Sequence, residues 1–186
     1  MAKQLHVRID LLRAIGAAAP ASNAVVFNSE PQPWPDPVTG EDLLNEIAAS
    51  VRRHVVLGNY DLLTVTLWIV LTYLSEIVDC LPILAILSPD KRCGKTSLLG
   101  VLSRLVKRPL PTSNISPAAL YRVIEKFCPT LLIDEVDSFL PDNEELRGVL
   151  NSGHTRHTAY VLRVNRDTGE VEPFSTWAPK AVAFNR

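Results

Sequence analysis

The stretch that decides the fold runs from Leu81 to Leu99 and reads LPILAILSPDKRCGKTSLL. It opens with a short apolar run typical of a buried strand, and from Lys95 onward its apolar residues recur at helical spacing. The link contains Gly94, which lets the backbone come close to an anion. At such a helix N-terminus, N–H groups supply positive potential, a lysine reaches phosphate oxygens, and a hydroxyl such as that of Thr96 binds Mg²⁺. The stretch therefore predicts a phosphate-binding loop between a strand and a helix.

Pro89 stands where such a loop ordinarily begins with glycine. Proline has no N–H to donate, and its φ is fixed near about −65°. The N–H groups that face phosphate come mainly from later residues, so a turn made by Ser88 and Pro89 is compatible with phosphate binding. The residues that we expect to contact the nucleotide here are Asp90, Lys91, Arg92, Cys93, Gly94, Lys95, Thr96 and Ser97. For Lys91 and Arg92, a solvated face of the loop is an equally good interpretation.

A second apolar run, from Leu131 to Ile133, ends in the carboxylates Asp134 and Glu135. The carboxyl ends of parallel strands meet at one edge of a sheet, so these side chains are expected beside the loop. We expect Asp134 to hold Mg²⁺ together with Thr96, and Glu135 to polarise the attacking water as general base. The predicted catalytic residues are Lys95, Asp134 and Glu135. A solvated acidic turn after a strand is the alternative interpretation, but it does not explain why both signals occur together.

The chain divides into three predicted parts. Residues 1–39 hold five prolines between Pro20 and Pro37, which excludes regular structure there and predicts an extended or flexible arm. Residues 40–80 read as a two-helix lead-in, with the second helix spanning 61–78. In residues 81–186 strands alternate with helices, which predicts an α/β fold with a parallel sheet covered on both faces. Near the end, residues 160–165 and 170–175 read as a β-hairpin with its turn at Gly169.

Composition limits the partners and the compartment. The chain has 186 residues, of which 47% are apolar and 21% charged, and its net charge of −1 excludes a general attraction to nucleic acid. A site for DNA must therefore be a local basic patch. The three cysteines fit no metal spacing and indicate a reducing compartment. The uncharged run from Leu62 to Ser75 is too short to span about 30 Å of hydrocarbon. We expect a cytoplasmic protein without membrane association.

Four stretches together resemble a P-loop family called domain of unknown function 3631, found in phage, plasmid and integrated-element proteins, often beside primase or helicase modules. They are SPDKRCGKTSLL, RPLPTSNISPAALYRVIEKFCPTLLIDEVDSFL, DNEELRGVLNSGH and FSTWAPKAVA. The resemblance covers the chain from about Pro33 to Ala183, and a Ser-Pro pair before the loop is usual in that family. It implies an AAA+-like ATPase with ATP and Mg²⁺ as its ligands, working on single- or double-stranded DNA.

The resemblance also implies roles for the C-terminal segments. In many AAA+-like helicases a β-hairpin touches nucleic acid, and here that hairpin would present Arg163 and Arg166. An ordinary sheet edge with both arginines in solvent is an equally good interpretation. The next strand, residues 180–184, would present Asn185 as a polar sensor near the γ-phosphate.

AAA+-like enzymes normally continue past this point with a strand, a helical lid and an arginine finger. Because the chain stops at Arg186, we expect a C-terminally truncated core that hydrolyses ATP slowly unless another chain completes it, and a homo-oligomer in the full-length protein. Three hypotheses follow: an ATPase domain of a DNA-processing protein, a nucleotide-binding remnant or regulator with little hydrolysis, and an ATP-dependent protein remodeller or switch that binds no DNA.

Overall fold

The computed structural model describes residues 34–88, 94–113, 115–138, 143–165 and 167–185. Within these ranges, two helices come first, strands and helices then alternate, and three strands come last. The helices are α1 (Gly40–Arg52), α2 (Asn59–Tyr73), α3 (Lys95–Leu105), α4 (Pro117–Phe127) and α5 (Glu144–Ser152). The strands are β1 (Leu84–Ser88), β2 (Pro109–Thr112), β3 (Thr130–Ile133), β4 (Tyr160–Val164), β5 (Val171–Ser175) and β6 (Lys180–Asn185). Short 3₁₀ turns span Val136–Ser138 and Arg156–Thr158.

Four strands form one parallel sheet in the order β1-β6-β3-β2. Successive side chains of β3 enter opposite cores, because side chains alternate along a strand. Leu132 packs with α1, α2 and α3 on one face, whereas Leu131 and Ile133 pack with α4 and α5 on the other. The predicted α/β fold with a parallel sheet between helical layers is thereby confirmed.

Side-chain caps fix where the helices begin. The Oγ of Ser116 accepts a hydrogen bond from Ala119 N over 3.3 Å, and Pro117 supplies the fixed φ of the first helical position. Helix α4 therefore begins at Pro117. Asn143 caps α5 in the same way through Leu146 N (2.9 Å). These two caps orient α4 and α5, which pack on the face of the sheet that carries Leu131 and Ile133.

Helix α2 ends at Tyr73, five residues before the predicted end at Val78. The carbonyl groups beyond it bind partners outside the helix instead of continuing it. Arg156 donates to the carbonyl oxygens of Ser75 (2.8 Å) and Val78 (3.0 Å), and Trp177 Nε1 also donates to Ser75 (2.9 Å). The sequence pattern remains apolar past Tyr73, so periodicity alone does not indicate this end.

Strands β4 and β5 form the predicted hairpin as a separate two-stranded sheet. Gly169 has a φ of +73° in the turn, where a left-handed residue is required. One face packs on α4, with the rings of Phe174 and Tyr121 4.8 Å apart. The opposite face points to solvent and carries the exposed apolar side chains Tyr160, Leu162, Val164 and Val171.

Candidate functional site

The N-terminus of α3 is built for close approach by an anion. Gly94 caps the helix with a φ of +84°, a conformation that L-residues with a side chain rarely adopt. Its carbonyl accepts the first helical hydrogen bond from Leu98 N (2.9 Å). The N–H groups of the first turn have no acceptor within a helix, and together with the helix dipole they attract negative charge. The first turn of α3 therefore carries donors of the kind that bind an anion.

The side chain of Lys95 reaches the end of β1 and is buried. Only 9% of the residue is exposed, and its Nζ donates a hydrogen bond to Oγ of Ser88 over 2.5 Å. Burial of an ammonium group costs free energy unless polar or charged groups surround it. A phosphate held by the N-terminus of α3 would give this ammonium group a charged partner.

Thr96 and Asp134 are brought together by α3 and β3. Oγ1 of Thr96 donates to Oδ2 of Asp134 over 3.0 Å. Asp134 is fixed by its backbone N–H, which donates to the carbonyl of Thr112 on β2 over 3.0 Å. A hydroxyl and a carboxylate are hard oxygen ligands, and Mg²⁺ typically takes one or two of these with water and substrate phosphates. The pair fits a magnesium ion that binds together with a phosphorylated ligand.

Glu135 adopts a left-handed backbone conformation with a φ of +53°. Such a conformation is uncommon for a residue with a side chain and costs on the order of 1 kcal/mol. Its N–H donates to Oδ1 of Asp134 over 2.9 Å, so the strained turn binds the second carboxylate oxygen of that residue. The side chain of Glu135 is exposed at the carboxyl edge of the sheet. The predicted pair of carboxylates thus lies beside the N-terminus of α3.

Strand β6 lies between β1 and β3, although it is last in the chain. Its register pairs Asn185 with Ser88 and Val182 with Ile133. The backbone of Asn185 therefore reaches the same edge as Lys95 and Asp134. The orientation of the Asn185 side chain lies outside what the structure describes, so its sensor role stays a prediction.

A cleft of about 360 Å³ runs beside the Thr96–Asp134 pair, between α3 and the end of β2. Its lining residues are Thr96, Leu99, Gly100, Ser103, Pro111, Thr112, Ser113, Leu132 and Asp134. Polar residues that were not expected at the site, above all Ser88 and Thr112, lie beside the predicted ones. Both are the last residue of a parallel strand, and the shared edge of such strands is the signal that would have found them.

The structure does not bring Arg163 to this edge. Its guanidinium lies over the ring of Tyr121, with 5.1 Å between Cζ and the ring centroid, and donates to Oε1 of Glu145 over 2.7 Å. Arg163 therefore lies between the hairpin and helices α4 and α5. Arg166 and the loop residues Asp90, Lys91, Arg92 and Cys93 lie outside the described residues. Ser97 is exposed on the side of α3 that faces the end of α1.

Comparison with protein-family models gives no match, and no curated protein sequence matches the chain. Among the helices in the described part of the chain, none combines the length and the apolar character needed to cross a bilayer.

Proposed function

We propose that this chain is an ATP–Mg²⁺-binding P-loop ATPase domain of the AAA+-like type. The observation that carries the proposal is the convergence of the Lys95 ammonium, the Thr96–Asp134 pair and Glu135 at one edge of a parallel sheet. Each group has a distinct task in phosphoryl transfer to water, which depends on positioning and charge stabilisation more than on covalent chemistry.

In this proposal Lys95 neutralises the terminal phosphate oxygens, and the N–H groups after Gly94 bind the phosphate next to it. Thr96 and Asp134 hold Mg²⁺, which supplies charge neutralisation when it is bound. Glu135 accepts a proton from the attacking water, because its exposed carboxylate is beside Asp134 at the same edge. The strained turn at Glu135 supports this role, since uncommon backbone conformations concentrate at functional sites.

A DNA-processing role for the domain follows from the resemblance to the mobile-element family. The alternative is an ATP-dependent remodeller of proteins, and one observation favours it. The exposed face of the hairpin is apolar at Tyr160, Leu162, Val164 and Val171, and Arg163 is paired with Glu145. An apolar face suits a protein partner better than a phosphate backbone, which binds Lys and Arg.

The experiment that separates these functions is ATP turnover by the full chain with Mg²⁺, measured with and without single-stranded DNA. A turnover rate that rises with DNA supports the DNA-processing function. A turnover rate that is the same with and without DNA supports the protein remodeller. ATP binding without turnover supports the remnant or regulator. Absence of both binding and turnover would overturn the ATPase assignment.

A further inference from the structure

The segment before β1 holds a thiol beside an imidazole ring. Sγ of Cys80 lies 3.5 Å from Nε2 of His154, within hydrogen-bond distance for sulfur, although the two residues are 74 positions apart in the chain. Both residues are exposed to solvent. Cys80 lies before β1, whereas Ser88 ends that strand beside Lys95. The pair is therefore at the opposite end of β1 from the proposed nucleotide site.

Backbone pairing brings the thiol and the ring together. Cys80 and Thr155 form an isolated antiparallel β-bridge. The N–H of Leu81, next to Cys80, donates to the carbonyl oxygen of His154 over 2.9 Å. The separation of the sulfur and the ring thus depends on paired backbone as well as on the two side chains.

The second ring nitrogen of His154 also has a partner. Its Nδ1 lies 3.0 Å from Oγ1 of Thr155, and a hydroxyl oxygen can accept a hydrogen bond from a ring N–H. A ring that carries two hydrogens can therefore direct one to this hydroxyl and the other to the sulfur of Cys80. A nucleophile, a base within reach and a third group that orients the base are the usual parts of an activated thiol.

This arrangement suits chemistry at sulfur better than metal binding. Within the part of the chain that the structure describes, no three His, Cys, Asp or Glu side chains lie together as metal ligands would. The reactive form of cysteine is the thiolate, and only a few per cent of an ordinary thiol is in that form at about pH 7. A thiol that passes its proton to a neighbouring ring as it attacks can react with the sulfur of a disulfide.

We propose that Cys80 is a site of reversible thiolation by a low-molecular-weight disulfide, with His154 as the base. Nε2 of His154 takes the thiol proton, and Sγ of Cys80 attacks one sulfur of the disulfide. A bond forms between Sγ and that sulfur while the S–S bond of the reagent breaks. The sulfur of Cys80 is oxidised, and the departing sulfur is reduced and leaves as a thiol with the proton from Nε2. A free thiol reverses the exchange, which suits the reducing compartment that the cysteine content indicates.

The test treats the folded full chain with glutathione disulfide and follows thiolation of each cysteine by peptide mass spectrometry. Cys128, which is exposed at the end of α4, is the internal control. We expect Cys80 to react about tenfold faster than Cys128 or more, because the base acts on a thiol that is otherwise only a few per cent thiolate at about pH 7. In urea, which unfolds the chain and separates Cys80 from His154, the two rates should come within about threefold of each other.

His154→Gln should bring the rate at Cys80 to within about threefold of the rate at Cys128, since an amide does not take the thiol proton. His157→Gln, at another exposed histidine, is the matched control and should keep the wild-type rate.

Equal rates at Cys80 and Cys128 in the folded wild-type chain would overturn the site, and this comparison needs no variant. An unchanged rate at Cys80 in a folded His154→Gln chain would overturn the role of His154 as the base. The proposal does not depend on nucleotide binding, so a chain that fails to bind ATP leaves both outcomes open to measurement.

Discussion

The hydroxyl of Thr96 donates a hydrogen bond to the carboxylate of Asp134 over 3.0 Å, although the two residues lie 38 positions apart in the chain. This contact brings two stretches of the chain into one site. One is the start of α3 with Gly94, Lys95 and Thr96, and the other is the end of β3 with Asp134 and Glu135. Either stretch alone has an ordinary structural interpretation. A hydroxyl and a carboxylate are oxygen ligands of the kind that Mg²⁺ takes, and in the proposed function phosphates supply further ligands.

Thr96→Val and Asp134→Asn should each remove the gain in ATP affinity that Mg²⁺ provides. We expect a loss of about tenfold to about a hundredfold with Mg²⁺, and the double variant should lose little more, because the two residues act as one unit. In EDTA, Asp134→Asn should bind ATP at least as well as the wild-type chain, since a negative charge near the phosphates is removed. Isothermal titration with and without Mg²⁺ measures this.

Thr64→Val is the matched control for Thr96→Val, because Thr64 is exposed on α2. It should keep the full effect of Mg²⁺ on ATP affinity. If Thr96→Val and Asp134→Asn keep that effect as well, the pair does not bind the metal.

Glu135→Gln should abolish turnover while ATP still binds. The amide cannot take the proton of the attacking water, so we expect turnover to fall by about a hundredfold or more. ATP affinity should change little, because the side chain is not among the groups that bind the phosphates. Single-turnover phosphate release measures the first quantity and titration the second. Glu144→Gln, on an exposed side chain of α5, should leave both unchanged; equal turnover in the two variants would exclude Glu135 as the base.

The sequence predicts the sheet and the contents of the site because the signals for both are local. Apolar runs, the Gly-Lys-Thr link and the carboxylates after β3 each depend on neighbours in the chain. Strand order is different, since β6 enters the sheet between β1 and β3 through contacts across the chain. The sequence pattern carries no sign of that insertion.

Two other features escape prediction for the same reason. Arg156 ends α2 by binding carbonyl groups of residues far away in the chain, while the local pattern favours a longer helix. Arg163 is paired with Glu145 across the hairpin and α5, although its position in a hairpin indicates a solvated residue. In both cases a long cationic side chain finds acceptors that only the folded chain brings within reach.

Gly153→Ala, directly after α5, should destabilise the fold, whereas Gly148→Ala within α5 should not. A Cβ on Gly153 would collide with the carbonyl oxygen of Thr176 and with Nζ of Lys180, and at Gly148 it would meet no atom within 4 Å. We expect the free energy of unfolding to fall by about 2 kcal/mol or more in the first variant. It should rise by about 0.5–1 kcal/mol in the second, where alanine is the better helix former. Urea unfolding compares the two; equal effects would contradict the close packing at Gly153.

Lys180 gives the stability of the fold a predicted pH dependence. Burial lowers the pKa of Lys180 from 10.5 to about 7, because a low-dielectric interior disfavours the ammonium form. Its Nζ lies within hydrogen-bond distance of the carbonyl oxygens of Gly153 (3.2 Å), Thr176 (3.2 Å) and Ala178 (2.9 Å). These three segments therefore meet at one buried amine.

Between those two pKa values the unfolded chain binds the proton and the folded chain does not. The free energy of unfolding should therefore rise with pH in this window, by about 1.4 kcal/mol per pH unit from this group. Lys180→Met should lose that rise, and Lys126→Met, at an exposed lysine, should keep it. Urea unfolding at about pH 7.5 and about pH 9.5 measures the difference. The same slope in the Lys180→Met and wild-type chains would exclude Lys180 as its source.

The central claim is that the edge formed by β1, α3 and β3 binds a nucleoside triphosphate, and Lys95→Ala tests it most directly. Titration of ATP with Mg²⁺ into the full chain should show binding that Lys95→Ala weakens by about a hundredfold or more, since the variant loses a buried charged hydrogen bond to phosphate. Lys126→Ala, at the exposed lysine of α4, should bind like the wild-type chain. If Lys95→Ala binds ATP as tightly as the wild-type chain does, the phosphate site is not at the N-terminus of α3.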